Sequence, residues 1–198
     1  MKEMLSPKKS LNILKKTNAL LEGHFVLSSG LHSSKYIQCA KLLSYPNLAN
    51  KICKSLANKI KKNFSKIDLI LSPAIGGIII GYEIGRILKK ETIFCERVNG
   101  KFVLRRGFSI KKGSKVLIIE DVITTGKSSL ECVKLIKKAK GKLVGFASII
   151  DRSTKKELRI KKKIISHLKI DVPTYKKNQL PKELKLLPIT TPGSRFTK

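Results

Sequence analysis

The stretch Lys115-Val-Leu-Ile-Ile-Glu-Asp-Val-Ile-Thr-Thr-Gly-Lys-Ser-Ser129 decides how this 198-residue chain folds. It begins with Val116 to Ile119, a short, uncharged and largely β-branched run that is typical of a strand buried on both faces of a parallel sheet. Two carboxylates, Glu120 and Asp121, come directly after this run and are called the acidic pair below. Because ligands of open parallel sheets lie at the carboxyl ends of the strands, the acidic pair is predicted to lie in a binding site.

A loop rich in hydroxyl groups follows the acidic pair and leads into a helix. We expect this helix to be capped by Ser128 or Ser129 and to run through Lys140. A helix N-terminus directs free backbone N–H groups and the positive end of the helix dipole at an anion, usually a phosphate. Gly126 lets a ligand approach the backbone, and the neighbouring hydroxyls donate to phosphate oxygens. This loop, residues 124–128 and called the phosphate loop below, is therefore predicted to bind phosphate, whereas the acidic pair should face a sugar diol or a hydrated Mg²⁺.

Nucleoside-triphosphate motifs are excluded. Gly126-Lys127-Ser128 has the ending of a P-loop, but that motif needs a glycine five residues before its Gly-Lys pair, and position 121 is Asp. A Walker B strand also ends in acidic residues, yet no Gly-x-x-x-x-Gly-Lys-Ser/Thr occurs anywhere in the chain. The stretch is therefore not part of a nucleoside-triphosphatase.

The stretch resembles the ribose-phosphate motif of the type I phosphoribosyltransferases: an apolar strand, two acidic residues, two apolar residues, Thr-Thr-Gly and a small hydroxyl residue. The resemblance implies an α/β fold with a central, mostly parallel sheet flanked by helices and a small hood built from N-terminal segments, to which C-terminal segments can add. It also implies one domain over residues 1–198, with the hood at about 20–45 plus the C-terminal tail and the core at about 47–175. The residues that it assigns to phosphoribosyl pyrophosphate here are Glu120, Asp121, Val122, Ile123, Thr124, Thr125, Gly126, Lys127 and Ser128.

Residues 23–38 alternate strand-like positions with glycine and serine turns, which predicts a hairpin. They resemble the base-selecting hood of the orotate branch of this superfamily, in which Phe-x-Leu-x-Ser-Gly-x-x-Ser precedes an aromatic residue. The matching residues are Phe25, Leu27, Ser29, Gly30, Ser33 and Tyr36. One position departs from the pattern, because a lysine that is common in the branch before Ser-Gly is Ser28 here.

Asp68 to Pro73 is predicted to be the first strand of the main sheet and to lead into a helix that ends at Leu88. Gly76 and Gly77 lie at the carboxyl end of this strand, where exposed amides suit a pyrophosphate. The pyrophosphate loop of the family lies in the corresponding place. Some members carry a lysine where this chain has Gly76, which shifts the contact from a side chain to the backbone.

Residues 91–110 predict a strand, an Asn99-Gly100 turn and a returning strand. In orotate phosphoribosyltransferases this region is the mobile catalytic loop, and this sequence resembles a shorter-loop subgroup that ends in Leu-Arg-Arg-Gly-Phe. The loop contains no histidine that could transfer a proton. A solvated basic hairpin is the alternative. The resemblance implies that Arg97 also binds phosphoribosyl pyrophosphate. It also implies that the catalytic residues are Glu120, Asp121, Arg97, Lys101, Arg105 and Arg106.

Leu143 to Ile150 predicts a further strand that ends in Asp151-Arg152. An arginine in this place suits bidentate hydrogen bonding to a carboxylate. The orotate branch has Asp-Arg here, so the resemblance implies that Arg152, with Thr124 and Tyr36, binds orotate. A structural Asp151–Arg152 turn is the alternative.

The length and the hydrophobic content of 41% suit one α/β domain, with packing helices predicted at 10–21 and 47–64. The charge is less ordinary, since 43 Lys and Arg stand against 13 Asp and Glu, a net charge of +30. Polyanions are therefore electrostatically favoured partners. The lysines are spread over most predicted helical faces with little aromatic interleaving, which more often reflects a bias of the whole proteome than a binding stripe. Specific nucleic-acid binding is not expected.

The cysteines lie far apart, which predicts neither a metal site nor a disulfide framework and favours a reducing, cytoplasmic location. The run from Leu69 to Tyr82 is 14 uncharged residues, too short to span a bilayer, so no membrane association is expected. The Pro192-Gly-Ser-Arg195 ending is similar to the shorter-loop subgroup, but the paired-cysteine segment that often precedes it is missing. No zinc site follows.

The resemblance implies an activity and its partners. Orotate and phosphoribosyl pyrophosphate would give orotidine 5′-monophosphate and pyrophosphate in pyrimidine (UMP) biosynthesis, with Mg²⁺ held mainly by substrate oxygens and a homodimer as the assembly. Two alternatives stay open. A purine or other base phosphoribosyltransferase shares the central motif, but Arg152 and the hood favour orotate. A non-catalytic nucleic-acid-binding regulator on the same fold is favoured by the charge, but the acidic pair and the phosphate loop favour catalysis.

Overall fold

Two sheets organise the chain in the computed structural model, which describes residues 5–27, 29–154 and 158–192. The first half of the chain contains the elements α1 (Pro7–Lys16), β1 (Leu20–Val26), β2 (His32–Ile37), α2 (Cys39–Leu43), α3 (Pro46–Asn63), β3 (Leu69–Pro73), α4 (Gly76–Leu88), β4 (Glu91–Val98) and β5 (Lys101–Leu104). The second half contains β6 (Lys115–Ile123), α5 (Lys127–Lys138), β7 (Lys142–Asp151), β8 (Ile164–Lys169), β9 (Thr174–Tyr175), α6 (Lys182–Lys185) and β10 (Ile189–Thr190).

The larger sheet has the strand order β5-β4-β3-β6-β7-β8. All neighbours in it are parallel except β5, which returns antiparallel to β4. Helices α3 and α4 cover one face and α5 covers the other, so the central strands are buried on both sides. This arrangement explains the nearly continuous apolar runs in β3 and β6 and confirms the predicted fold class.

The smaller sheet is the hood and has the order β10-β1-β2-β9. Its centre is the predicted antiparallel hairpin of β1 and β2. The C-terminal segment adds β10 parallel to β1 and β9 antiparallel to β2. The hood is therefore built from both ends of the chain, as the resemblance implied. Ser28 and residues 193–195 of the Pro-Gly-Ser-Arg ending lie outside the described residues.

The prediction of a helix at 10–21 is wrong for residues 17–21. Helix α1 ends at Lys16, and Asn18 has a left-handed φ of 54° that stops it. Leu20 and Leu21, whose spacing favoured the helix, belong to β1 and pair with Ile37 and Tyr36. Pairing across the hairpin therefore overrides the local helical pattern. The helix predicted at 47–64 is confirmed by α3.

The central strand is longer than predicted. Strand β6 continues through Ile123 because β7 pairs with it to the end, with Ile123 aligned to Asp151. The acidic pair therefore lies inside a strand and not in a loop. The predicted serine cap of α5 is also wrong, since Gly126, with a φ of 74°, is the capping residue.

Candidate active site

The predicted site residues gather at the carboxyl edge of the larger sheet. Strands β6 and β7 end together there, and the Arg152 N–H donates to the carbonyl of Ile123 at 2.9 Å. Thr124 and Arg152 therefore follow neighbouring strands at the same level. Strand β3 ends at this edge beside the N-terminus of α4. The structure thus brings together residues 76, 121, 124 and 152, which lie up to 76 positions apart in sequence.

The two carboxylates of the acidic pair point to opposite faces of β6, as successive strand residues must. Glu120 faces α5, where its carboxylate accepts a hydrogen bond from the Ser129 hydroxyl. The residue is only 8% exposed, and burial raises the pKa of Glu120 to about 7, against the opposing effect of the Ser129 bond. Glu120 therefore connects the central strand to the first turn of α5, beneath the phosphate loop.

Asp121 faces the other way and is half-buried. Burial raises the pKa of its carboxyl above the ordinary value, while backbone N–H groups oppose the rise. The carboxylate lies against Gly76, because a Cβ built on that glycine would come within 2.8 Å of Oδ2 and 2.9 Å of Oδ1. A side chain at position 76 would therefore displace Asp121. Of the two carboxylates, Asp121 is the one that can reach a ligand near the start of α4.

The two glycines at the start of α4 differ in their surroundings. Gly76 is exposed at the N-terminus of the helix, where backbone N–H groups have no intrahelical acceptor. Gly77 is buried, and a Cβ there would come within 3.2 Å of the Ser72 Cβ on β3. Gly76 is thus placed for an anionic ligand, while the absence of a side chain at Gly77 allows the helix to approach the sheet.

The phosphate loop turns sharply into α5 at Gly126. Only a glycine fits here, because φ is 74° and a Cβ would lie 2.6 Å from Ile160 Cδ1. The Lys127 N–H donates to the Thr125 hydroxyl at 3.3 Å, and the Arg159 N–H donates to the Thr125 carbonyl at 3.1 Å. The segment around Ile160 therefore supports the loop from outside. Nothing local in that lysine-rich segment predicted this contact.

The hood is joined to the site through the residues that follow β2. The Cys39 thiol donates to the Asp121 carbonyl at 3.8 Å, which connects the start of α2 to the central strand. Tyr36 lies three residues earlier and packs against Phe25, with ring centroids 5.8 Å apart. This contact orients the tyrosine ring within the hood.

The predicted basic hairpin is formed by β4 and β5. Asn99 and Gly100 both have positive φ, 49° and 77°, which confirms the predicted two-residue turn. Arg97 is paired with Glu131 of α5 at 2.8 Å and lies over the Phe102 ring. Because Glu131 is in the first turns of α5, this pair connects the hairpin to the helix that begins at the phosphate loop.

The other three predicted catalytic cations are not equivalent. Arg106 makes two hydrogen bonds, of 2.9 and 3.0 Å, to the Glu96 carboxylate. Lys101 and Arg105 are exposed, and among the residues that the structure describes no carboxylate pairs with either of them. Both line an open groove of about 640 Å³ along the hairpin. Lys101 and Arg105 are therefore the cations that remain available to an anionic ligand.

Sequence reasoning missed the residues that support the site from behind. Ser129 was expected to cap a helix, but its hydroxyl binds Glu120. Glu131, Cys39 and Ile160 had no assigned function. The role of Ser129 was the easiest of these to predict, since a buried strand carboxylate needs a hydrogen-bond donor and the next helix begins with hydroxyl residues.

Within the described ranges, no group of three or more His, Cys, Asp or Glu side chains is arranged to hold a metal ion. All four cysteines are buried free thiols, and Cys95 and Cys132 approach to 3.5 Å between sulfurs. No described helix is long and apolar enough to cross a membrane.

Comparison with known proteins agrees with this geometry. The family model of the phosphoribosyl transferase domain matches residues 41–182. The structure of an orotate phosphoribosyltransferase from Aeropyrum pernix superposes with a TM-score of 0.67 at 22% identity, covering 80% of this chain and 92% of that one. Together with the sheet order and the loop at Gly126, these matches define a type I phosphoribosyltransferase fold.

The sequence relatives narrow the class. An orotate phosphoribosyltransferase from Parvibaculum lavamentivorans is 46% identical over 192 residues, which cover 96% of this chain and 98% of the relative. One from Caldicellulosiruptor saccharolyticus is 46% identical over 95% of this chain and 97% of the relative. The chain belongs to the orotate phosphoribosyltransferase family.

Proposed function

We propose that this chain transfers the ribose 5-phosphate group of phosphoribosyl pyrophosphate to orotate, giving orotidine 5′-monophosphate and pyrophosphate in pyrimidine biosynthesis. Full-length similarity to proteins that carry this name supports the assignment. The observation that carries it is the placement of Arg152 directly beside the phosphate loop, through its 2.9 Å backbone bond to Ile123. A base bearing a carboxylate can then be held next to the ribose phosphate.

The phosphoribosyl group binds along β6 and its loop. Residues 124–128 surround the 5′-phosphate with backbone N–H groups and hydroxyls at the positive end of the α5 dipole. Asp121 accepts hydrogen bonds from the ribose hydroxyls. Glu120 stays beneath the loop on Ser129 and fixes its position relative to the strand. One carboxylate therefore contacts the sugar, and the other holds the loop that contacts the phosphate.

Orotate binds between the hood and the end of β7. The Arg152 guanidinium makes a bidentate hydrogen bond to the orotate carboxylate, and Thr124 and Tyr36 orient the ring. The ring nitrogen then faces the anomeric carbon, where the new N–C bond forms as the C–O bond to pyrophosphate breaks. The proton of the ring N–H passes to a pyrophosphate oxygen or to water. Since no side-chain nucleophile is needed, positioning and leaving-group electrostatics supply most of the rate acceleration.

The departing pyrophosphate is stabilised by backbone and side-chain donors. The Gly76 amide at the start of α4 faces it, and Lys101 and Arg105 supply positive charge from the hairpin. Bound Mg²⁺ would supply positive charge to the pyrophosphate oxygens. Asp121 is a hard oxygen donor in the right place, and a site with this single carboxylate suits an ion held mainly by the oxygens of the substrate.

The working form is a homodimer. The side chains of Ile75, Ile79 and Tyr82 are 85%, 56% and 66% exposed. Ile75 is the residue before α4, and its spacing to Ile79 and Tyr82 places the three in one row along the helix. Such a row of large apolar side chains is unfavourable in water and is typical of an interface. A second copy of the chain would cover it.

The direct test is orotate consumption with phosphoribosyl pyrophosphate and Mg²⁺, followed by absorbance and by pyrophosphate release. Orotate should be consumed, while adenine, hypoxanthine and uracil should react at least about 100-fold more slowly, because none offers a carboxylate to Arg152. Faster reaction with a purine would identify a purine phosphoribosyltransferase. Absence of pyrophosphate release with every base would favour a non-catalytic protein on this fold.

A further inference from the structure

The amino edge of the larger sheet collects a high density of positive charge. Because β3, β4, β6, β7 and β8 are parallel, the segments that enter them meet at one edge, opposite the candidate active site. Lysine dominates five of these segments, and its side chains there are exposed apart from that of the half-buried Lys115. We call these segments the amino-edge lysine surface: residues 61–66, 89–90, 111–115, 137–142 and 161–163.

Little negative charge offsets these lysines. The five segments contain no acidic residue, and Asp68 and Glu91 are the only ones directly beside them at the strand starts. The Asp68 carboxylate accepts the Lys115 backbone N–H at 2.8 Å, so it is already engaged. No lysine of the surface forms an ion pair with a described carboxylate. The surface therefore presents uncompensated charge.

Backbone hydrogen bonds join two of these segments, 111–115 and 137–142. The Lys142 N–H donates to the Ser114 carbonyl at 2.8 Å, and the Gly113 N–H donates to the Lys140 carbonyl at 2.9 Å. Lys115 and Lys142 are direct neighbours in the register of β6 and β7. Like charges side by side on adjacent strands repel each other in the free protein, so an anion that lies between them is favoured.

Two shallow grooves cross the amino-edge lysine surface. A groove of about 290 Å³ runs past Ser65, Lys66, Lys115 and Lys142, and a second of about 240 Å³ lies on the other side of Lys66, next to Lys90. The Phe64 ring forms a wall of both grooves and packs on Gly145, where a Cβ would come within 2.6 Å of the ring. Lysine point charges along shallow grooves fit a chain of phosphates better than a flat ligand.

We propose that the amino-edge lysine surface binds nucleic acid through the phosphate backbone, without sequence preference. An anionic membrane is a poorer fit, because the exposed large apolar side chains of the described residues all lie outside these five segments and none is available to enter a bilayer. The charge is carried by helix ends, turns and strand starts of several elements and not by one amphipathic helix, which also favours a flexible polyanion.

The surface is independent of the active site. Strand β6 separates Lys115 at one edge from Ile123 at the other by about 26 Å, at roughly 3.3 Å per residue. Nucleic acid and phosphoribosyl pyrophosphate should therefore bind at the same time. The inference does not depend on the proposed reaction.

The test compares two charge-reversal variants of the full chain. The edge variant carries Lys66→Glu, Lys90→Glu and Lys142→Glu. The control variant carries Lys8→Glu, Lys51→Glu and Lys54→Glu on exposed positions of α1 and α3, and has the same net charge. Anisotropy of a fluorescein-labelled 20-mer of uridine is titrated with each protein from 50 to 200 mM salt.

The edge variant should bind at least about tenfold more weakly than the control variant at the lowest salt. The slope of the logarithm of its binding constant against the logarithm of salt concentration should be less steep than that of the unmodified protein by about 2, because three phosphate contacts at roughly 0.7 each are lost. Saturating phosphoribosyl pyrophosphate should leave the binding unchanged. Equal losses in both variants would show diffuse attraction and overturn the proposal, as would displacement by phosphoribosyl pyrophosphate.

Lysine acetylation of the unmodified protein gives a second measurement that does not depend on the variants folding. The oligonucleotide should protect Lys66, Lys90 and Lys142 from acetylation, as read by mass spectrometry, and should leave Lys8 and Lys51 reactive. Uniform protection contradicts the proposal. Vesicles of phosphatidylglycerol are tested in the same way. If the protein binds them more tightly than the oligonucleotide and the same lysines are protected, the surface binds a membrane instead.

Discussion

The carboxylate of Asp121 lies against the α-carbon of Gly76, close enough that a Cβ at position 76 would come within 2.8 Å of Oδ2. The relationship connects two segments 45 positions apart, the end of the central strand and the start of α4. A side chain at position 76 would have to displace the Asp121 carboxylate. The position of the carboxylate that we propose as the ribose ligand therefore depends on the absence of a side chain at Gly76.

Gly76→Ala should therefore lower activity through Asp121. We expect kcat/KM for phosphoribosyl pyrophosphate to fall by about tenfold, or roughly 1.4 kcal/mol, because the methyl group rotates the carboxylate away from the ribose. Thermal stability should hardly change, since position 76 is exposed. Steady-state kinetics in a double-mutant cycle with Asp121→Ala provide the check. Additive losses would mean that the glycine acts independently of Asp121.

Glu120 should make stability depend on pH. Its pKa is raised to about 7 in the folded protein, so the folded state keeps a proton that the unfolded chain releases above pH 4.5. The contribution of this group to stability therefore falls as pH rises from about 4.5 to 7, by roughly 3 kcal/mol in total. Glu120→Gln removes this dependence. Urea unfolding at pH 5 and pH 8 should show the variant gaining relative to the original protein at the higher pH.

The control for this measurement is Glu22→Gln, which removes an exposed carboxylate paired with Lys15. Its unfolding free energy should run parallel to that of the original protein between pH 5 and pH 8. A Glu120→Gln curve that is also parallel would contradict the buried, protonated state of Glu120 at low pH.

The parts of the site that could be predicted from sequence are those determined by a few consecutive residues. The Asn99-Gly100 turn needs two positive φ values, and the Gly126 turn needs one. Asparagine and glycine adopt positive φ more readily than other residues, so these residue types predict the conformation. The opposite orientation of Glu120 and Asp121 could not be read in this way. It follows from the pairing of β7 with β6 as far as Ile123, which is a contact between distant segments.

Charge placement is a second property that only the fold determines. The lysines are spread through the sequence, and we expected them to be spread over the molecule. Many are, for example on α1 and α3, but the parallel topology also brings the segments at 61–66, 111–115 and 137–142 to one edge. The support of Gly126 by Ile160 is similar, because nothing in a run of lysines indicates which residue will face the phosphate loop.

Arg152→Ala should affect orotate and not phosphoribosyl pyrophosphate. Loss of a bidentate, charge-assisted contact should lower kcat/KM for orotate by roughly 100-fold, or about 3 kcal/mol. The dissociation constant for phosphoribosyl pyrophosphate, from calorimetry, should stay within about threefold. Arg152→Lys keeps the charge but not the planar donor pair and should recover only part of the loss. Full activity of Arg152→Ala would remove the residue from the base site.

Two adjacent arginines allow the hairpin to be tested with a matched pair. Arg105 has no carboxylate partner among the described residues, whereas Arg106 is held by Glu96. Arg105→Ala should lower kcat by about tenfold or more, because it removes charge available to the departing pyrophosphate. Arg106→Ala should lower kcat by about threefold or less, since the Arg106 guanidinium is already bound to Glu96 and an exposed ion pair of this kind contributes little. The reverse order of the two effects would place the Glu96 pair in the reaction and leave Arg105 as a solvated side chain.

The exposed face of α4 should determine the oligomeric state. Tyr82→Glu puts a charge at the C-terminal end of the row formed with Ile75 and Ile79, and a buried unpaired carboxylate is costly enough to separate a dimer. Sedimentation equilibrium should show a dimer for the original protein and a monomer for Tyr82→Glu. Leu186→Glu is the matched control, because Leu186 is exposed near α6 and should tolerate the charge. A dimer that survives Tyr82→Glu but is lost in Leu186→Glu would move the interface to the C-terminal segment.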